Sequence, residues 1–461
     1  MTTLSRLFRG TLHMKTLHYN CYEVGHTWCS SCPRAVWDVF LASAAESARI
    51  YATIYAASTA LRVYQKKSTN VYKILLDFIR STCFLTNNGV MFLGSLCVLR
   101  RLLGLFIFPS IGFLPSFIAS YVSIMMEQTS RRKLLAVYML QVDTLLIWRM
   151  CVHRGLIRSI PRGEVLVFAA SLAAYSHLLS RDKLKDFPQS QAVLRFLFGT
   201  GKEGSQWRDK FVKSVGKIGG PDVLACLEKI RETAESSCGF HDNSCLSVNL
   251  ESFFANFGST VSILSLISFI TRFPRIYRQP SQLLRILFSR SNLKLSLCAG
   301  LFPLLYNSTS CLLTRLLKCY NGAENSEETD SKPKLIPVAA GFVSGLSLAL
   351  SPSSTVAMYA MWKLLETLYW KAVKEGKAPR IKHADIVIYT LCTALALHAA
   401  VFEPQSLSET YWNFLLRLTG GHFGHVHRRC LDIYGCDSSY LYPDFYIAPD
   451  PIKTTINPVF V

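Results

Sequence analysis

Charge is scarce in this chain. Of its 461 residues only 17% are Asp, Glu, Lys or Arg, against about a quarter in an ordinary soluble protein. With 50% hydrophobic residues and a mean hydropathy of +0.25, that shortage argues against a soluble globule. Acid is scarcer still, 30 residues against 50 Lys and Arg, for a net charge of +20. Such a charge would suit nucleic acid if it were gathered on one domain. Instead the basic residues stand at the ends of apolar runs: Arg62, Lys66 and Lys67; Arg100 and Arg101; Arg131, Arg132 and Lys133; Arg272, Arg275 and Arg278. Membrane proteins place Lys and Arg there to meet anionic headgroups, so the expected partner is a lipid bilayer and not a nucleic acid. Catalytic signatures are missing too: there is no G-x-S-x-G, P-loop, dinucleotide glycine pattern or H-E-x-x-H. The expectation is no enzyme and no catalytic residue. No uninterrupted apolar stretch follows the N-terminus, which argues against a secretory signal. The first twenty residues are basic and free of acid, with Leu4, Phe8 and Leu12 on one helical face. They suit a mitochondrial presequence and a frayed polar tail equally.

What is abundant is long uncharged sequence. Apolar runs recur at 83–99, 102–126, 165–179, 253–270, 295–313, 335–350 and 386–402. Seven such runs with basic residues between them predict a polytopic α-helical membrane protein. The stretch 335–371 is the most telling. Pro352 should break it, since proline has no N–H to donate and disfavours helix in the residue before it. Gly341 and Gly345 form a G-x-x-x-G, which bares one face of a helix for close approach by another. The two runs on either side of Pro352 read as a tightly packed transmembrane hairpin.

The runs also come in a repeated order. Arg62-Val63-Tyr64 pairs with Arg275-Ile276-Tyr277, Gly89 with Gly300, and Cys97-Val98-Leu99 with Cys311-Leu312-Leu313. Further on, Pro115, Met139, Trp148 and Leu194-Arg195 pair with Pro337, Met361, Trp370 and Leu416-Arg417. The offset drifts from 211 to 222, growing where the acidic loop 321–334 enters the second half. The fold class expected is therefore all-α, a polytopic helical membrane protein built from two tandem repeats of about five helices each. The domains would be an N-terminal tail and Cys-rich segment (1–35), membrane repeat 1 (36–200), a polar linker (201–251), membrane repeat 2 (252–420) and a C-terminal tail (421–461). The pieces 71–80, 190–199, 281–290 and 410–419 read as interfacial helices or as ends of spans. Five spans in each repeat would make the copies inverted, as in many transporters; four or six would make them parallel.

Fifteen cysteines are present, but their spread does not resemble a secreted disulfide framework. Cys83, Cys97, Cys151, Cys298, Cys311 and Cys392 fall in apolar runs, where cysteine serves as a small hydrophobe. Two clusters stand apart. Cys21, His26, Cys29 and Cys32 form the first; Cys238, His241 and Cys245, near the start of the second half, form the other. Thiolate and imidazole are the ligands of structural zinc, which usually takes four. No cofactor is otherwise expected. Disulfide or redox chemistry, and unpaired surface thiols, stay open beside the metal. Asp143, Arg149, Lys363 and Glu366 lie inside apolar runs, where charges mark either a solute pathway or a buried pair. Lys363 and Glu366, three apart, can neutralise each other; Asp143 and Arg149, six apart, share no face. His398 reads as a packed core residue, and Asn307-Ser308-Thr309, an Asn-x-Ser/Thr glycosylation pattern inside an apolar run, as a chance match.

The string from Asn20 to Trp28, Asn-Cys-Tyr-Glu-Val-Gly-His-Thr-Trp, resembles the Cys-rich signature of the transmembrane protein 135 (peroxisomal membrane protein 52) family. The stretches 119–122, 130–132, 383–385 and 411–419 are similar to that family as well. The region after about 295, with Gly341 and Gly345, is more weakly similar to the Tim-type translocase superfamily. The first resemblance implies a multi-pass protein of mitochondrial and peroxisomal membranes, linked to mitochondrial fission and morphology and to lipid homeostasis. It carries over no catalytic residue. The C-terminal Pro458-Val459-Phe460-Val461 is not a Ser-Lys-Leu address, so peroxisomal delivery would use internal signals. Two functions follow as expectations: transport of a lipid, fatty acid or other solute, or a scaffold that recruits fission or assembly partners through the linker and the Cys/His face.

Overall fold

The computed structural model describes residues 15–64, 70–180, 245–279, 289–320 and 335–441, with single positions at 198, 209 and 281. A two-residue strand, β1 (Thr16–Leu17), precedes a short α1 (Cys21–Val24) and two long helices, α2 (Cys32–Tyr64) and α3 (Val71–Leu103). β2 (Phe106–Ile107) pairs antiparallel with β1, Thr16 opposite Ile107. Then come α4 (Phe108–Ile111), α5 (Phe113–Met126), α6 (Thr129–His153) and α7 (Gly163–Ser180). The later helices are α8 (Cys245–Arg278), α9 (Arg290–Tyr320), α10 (Leu335–Gly345, continued by a 3-10 segment Leu346–Leu350), α11 (Ser354–Lys374), α12 (Ala384–Phe402), α13 (Glu409–Leu418) and α14 (Ser438–Leu441). Among the described residues six are long and apolar enough to cross a bilayer: α3, α6, α7, α8 as far as Phe269, α9 as far as Leu317, and α12. The chain is a polytopic all-α membrane protein.

Several boundaries differ from the sequence reading, for local reasons. The segments 71–80 and 83–100 are one helix, because no proline separates them and the caps lie outside. Asn70 accepts a hydrogen bond from the Lys73 N–H at 3.1 Å, and Gly104 ends α3 at φ 70°. Pro352 does break the chain, with Ser353 capping α11 through the Val356 N–H. The two sides of that break are not the expected tight pair, however. Gly341 and Gly345 face α7: an added Cβ would lie 2.8 Å from the Leu172 carbonyl at Gly341 and 2.4 Å from Ala169 Cα at Gly345. The bare face thus serves a helix from the other half of the sequence. Some helix-end arginines also have work besides headgroups. Arg132 donates to the Met125 and Glu127 carbonyls at 2.9 and 3.0 Å, closing the C-terminus of α5. The segments 190–199 and 281–290 lie almost wholly outside the described residues, as do residues 1–14 and most of the linker.

The helices form two compact units: residues 1–158 with 380–461, and residues 159–379. These are not the two halves of the sequence. In unit 1, α2 packs on α3, α3 on α5, and both α5 and α6 on α12. In unit 2, α8 packs on α9, α9 on α10, and both α10 and α11 on α7. Among the described residues, each unit thus packs four helices from one half (α2, α3, α5 and α6, or α8 to α11) with a further one from the other (α12 or α7). The route into that fifth helix recurs as well. Gly155 and Gly376 sit at φ 69° and 73°, and Arg162 and His383 both at 58°. Leu156 N–H reaches Cys151 O at 2.9 Å as Lys377 N–H reaches Ala372 O at 2.8 Å. Within unit 1, buried Ser116, Ser120 and Ser123 stripe α5, the small-residue interface that lets helices approach closely in lipid. Ser120 Oγ donates across to Thr390 O at 3.3 Å.

Candidate functional site

The N-terminal segment owes its position to many small ties. Gly25 lies against Leu96 of α3, so close that a Cβ there would fall 2.5 Å from Leu96 Cδ2. Arg100, one turn further along α3, donates to Tyr19 O at 2.6 Å and to His18 O at 2.9 Å. On the other side the His427 N–H donates to Val24 O at 2.8 Å, and Thr27 Oγ1 to His425 O at 2.9 Å. Trp28 stacks on His422 with ring centroids 4.3 Å apart.

This docking brings together Cys21, His26, Cys32 and Cys97, whose ligand atoms all lie within 4.8 Å of one another. Cys21 Sγ and Cys32 Sγ are 3.1 Å apart. His26 is fully buried. Its Nδ1 bonds the Cys29 carbonyl at 2.7 Å, while its Nε2 has no hydrogen-bond partner. The Cys97 thiol, followed by His26 and Cys32, holds the Cys21 thiol down to about 4 against the cost of its burial. Burial, then the adjacent Cys21 thiolate, pushes Cys32 up. Burial opposes charge on His26, yet Cys21 and the Cys29 carbonyl outweigh it and raise the imidazole.

Three of the four residues expected of the first cluster are thus gathered, and Cys29 is not. Its Sγ donates to Ser31 O at 3.5 Å, and it touches His26 through its backbone. Cys97, which the apolar run around it marked as a small hydrophobe, takes the fourth place. Cys238 and His241 lie outside the described residues. Cys245, at the start of α8, accepts from Arg315 Nη2 at 3.4 Å. A second Cys/His contact that sequence reasoning missed joins His427 Nδ1 and Cys430 Sγ at 2.7 Å, both buried. Neighbouring Arg428 is fully buried and held down to about 10 by that burial. It donates to Ala400 O in the last turn of α12 at 3.2 Å and to Gly424 O at 3.3 Å, with its guanidinium over Trp412 at 5.3 Å. The three-residue spacing of His427 and Cys430 was the only sequence signal available.

Unit 1 also holds a partly open cavity of about 370 Å³, between α2, α3, α6, α12 and α13. Its wall is mostly apolar, including Ile54, Phe92, Leu135, Leu397 and Phe414. Polar character is confined to a few groups, among them Asn88, whose Nδ2 donates to the Tyr389 hydroxyl at 3.1 Å. The four charged residues singled out in apolar runs are distributed over both units. Asp143 is buried beside Cys392. Arg149 donates to Leu407 O at 2.6 Å. Lys363 and Glu366 form an ion pair at 2.6 Å.

No solved structure matches the chain. Residues 18–152 match the model of the N-terminal cysteine-rich region of Transmembrane protein 135. The match contains all four residues of the Cys/His centre and the helices α2, α3, α5 and all but the last residue of α6. Through this region the chain is similar to the transmembrane protein 135 family.

Proposed function

We propose that this protein acts in lipid homeostasis and mitochondrial morphology as a multi-pass protein of mitochondrial and peroxisomal membranes, and that it does so by holding a lipid hydrocarbon within unit 1. The family resemblance supports the location and the process. The single observation that supports the ligand is the apolar cavity. Its volume, about 370 Å³, falls in the range of small-molecule pockets, which are lined mainly by apolar side chains with a few placed polar groups. An acyl chain would lie against Phe92, Leu135 and Leu397, with Asn88 and Tyr389 offering the polar contact. Movement of that lipid between leaflets or membranes is the transport reading of the same site.

The test is lipid analysis of the purified full-length protein. Extraction should recover a co-purifying lipid or fatty acid, and a photoactivatable fatty acid should label α3 or α12. Leu397→Trp, which fills the cavity, should abolish both signals while the protein stays monodisperse. Lipid retention unchanged by that substitution overturns the reading. Reconstitution in liposomes separates carriage from storage: no movement of lipid, fatty acid or small solute under any gradient removes the transport part alone.

A further inference from the structure

The Cys/His centre is independent of the cavity, and its geometry points to a metal. We propose that Cys21, His26, Cys32 and Cys97 form a structural zinc site that clamps the N-terminal segment to the C-terminal end of α3, and that Cys29 contributes only its backbone carbonyl. Around a tetrahedral zinc ion with Zn–S bonds of about 2.3 Å, neighbouring sulfurs stand about 3.8 Å apart. The observed group, with Cys21 and Cys32 at 3.1 Å and every ligand atom within 4.8 Å of the others, brackets that edge and converges on one point. Three thiolates favour a soft ion over Mg²⁺ or Ca²⁺, and four protein ligands with no open position are the mark of structural zinc.

The histidine carries the argument further. Metal-bound histidines ordinarily donate their second nitrogen to a carbonyl or carboxylate, which fixes the tautomer. His26 Nδ1 does this with Cys29 O at 2.7 Å, leaving the Nε2 lone pair among the thiols. Nε2 is buried and without a hydrogen-bond partner, a costly state for a polar atom unless something else coordinates it. A Cys21–Cys32 disulfide is the competing chemistry. It requires the sulfurs to close to about 2.05 Å, and it would leave both His26 Nε2 and Cys97 without a role. A zinc bound by three thiolates carries one negative charge, and the Arg100 guanidinium lies beside Cys21 to balance it.

Cys97 ties together two parts of the chain far apart in sequence, as a clamp must. It stands two turns before the end of α3, next to Leu96, against which Gly25 is seated. The ion would thus secure the segment that also docks on residues 425 and 427.

The decisive measurement is metal content of the full-length protein, purified in detergent without chelator, by plasma mass spectrometry. About one zinc per chain is expected. Cys97→Ser and His26→Ala should lose it, and Cys29→Ser should keep it. Cells grown with cobalt should yield protein with thiolate-to-cobalt charge transfer and tetrahedral ligand-field bands. Should a variant fail to fold, the wild type still decides. Stripping its metal should raise tryptic cleavage at Lys15 and Arg34 about tenfold, by releasing a locally folded segment, and added Zn²⁺ should reverse it. The proposal is overturned by metal-free wild type, by a Cys21–Cys32 disulfide in peptide maps, by metal retained in Cys97→Ser but lost in Cys29→Ser, or by cleavage indifferent to zinc.

Discussion

Unit 1 and unit 2 have the same plan and different contents. In both, a long helix pair leads to a short apolar helix, and that helix packs on a fifth helix borrowed from the other half of the sequence. Unit 2 makes the borrowed contact with glycine: Gly341 and Gly345 meet Leu172, Ala173, Ser176 and Ala169. Unit 1 makes it with alanine and serine, Ala119 and Ser120, the latter hydrogen-bonded to Thr390 O. Among the described residues only unit 1 adds the docked N-terminal segment, the Cys/His centre and the cap formed by residues 404–441. The difference teaches that the shared plan is a scaffold for helix packing, while chemistry has been added to one side of it.

The largest expected effect tests where the units are divided. Residues 159–379 are a continuous fragment and contain all five helices described in unit 2, α7 to α11. Expressed alone in membranes, the fragment should be monodisperse in detergent and unfold cooperatively. The sequence half 201–461 lacks α7 and keeps α12 without α5 and α6, so its α10 glycine face has nothing to pack on. It should aggregate. The opposite result, a folded 201–461 and an aggregated 159–379, would return the division to the sequence halves.

How much of this was legible beforehand follows from the range of each interaction. Helix positions depend on local apolarity and caps, so α7 (Gly163–Ser180) and α12 (Ala384–Phe402) coincide with runs read from sequence. The break at Pro352 is equally local. The exchange of fifth helices was not legible, because it is set by which faces meet and no spacing within either half records it. Cys97 was missed for the same reason. It sits in an apolar run like Cys83, and only the docking of Gly25 on Leu96 shows that its thiol meets Cys21. Conversely, Cys29 was included because spacing cannot tell a side-chain ligand from a backbone acceptor. The Lys363–Glu366 pair was legible, since residues three apart on a helix are neighbours.

Next in size are two substitutions that should each damage one unit. Arg428→Ala removes a fully buried guanidinium and strands the carbonyls of Ala400 and Gly424. Leaving buried acceptors unsatisfied costs on the order of 1–3 kcal/mol each, and the loss should appear as a lowered denaturation midpoint of unit 1. Gly345→Ala places a methyl 2.4 Å from Ala169 Cα, where no flexible side chain can yield. Overpacking of this kind costs about 2–3 kcal/mol and should lower the midpoint of unit 2 while the metal content of unit 1 is unchanged. If Gly345→Ala instead released the metal, or Arg428→Ala unfolded residues 159–379, the two units would not be separate folding entities.

The smallest effect is expected at the Lys363–Glu366 pair, and it bears on whether unit 2 carries any chemistry. The two side chains, 40% and 23% exposed, meet at 2.6 Å within one helix. Partly exposed pairs at this spacing contribute about 0.3–0.5 kcal/mol, because side-chain entropy and solvent offset most of the attraction. Lys363→Gln and Glu366→Gln should each shift stability by that amount or less, and the charge-reversed double substitution should restore it. A double-mutant cycle in a bilayer makes the reading quantitative. Coupling below about 1 kcal/mol marks a solvated structural pair. Coupling well above it would mean that this face meets hydrocarbon, where an unpartnered charge is far more costly. In that case unit 2 would hold a membrane-embedded charge pair of its own, and the contrast between a plain unit and an elaborated one would have to be redrawn.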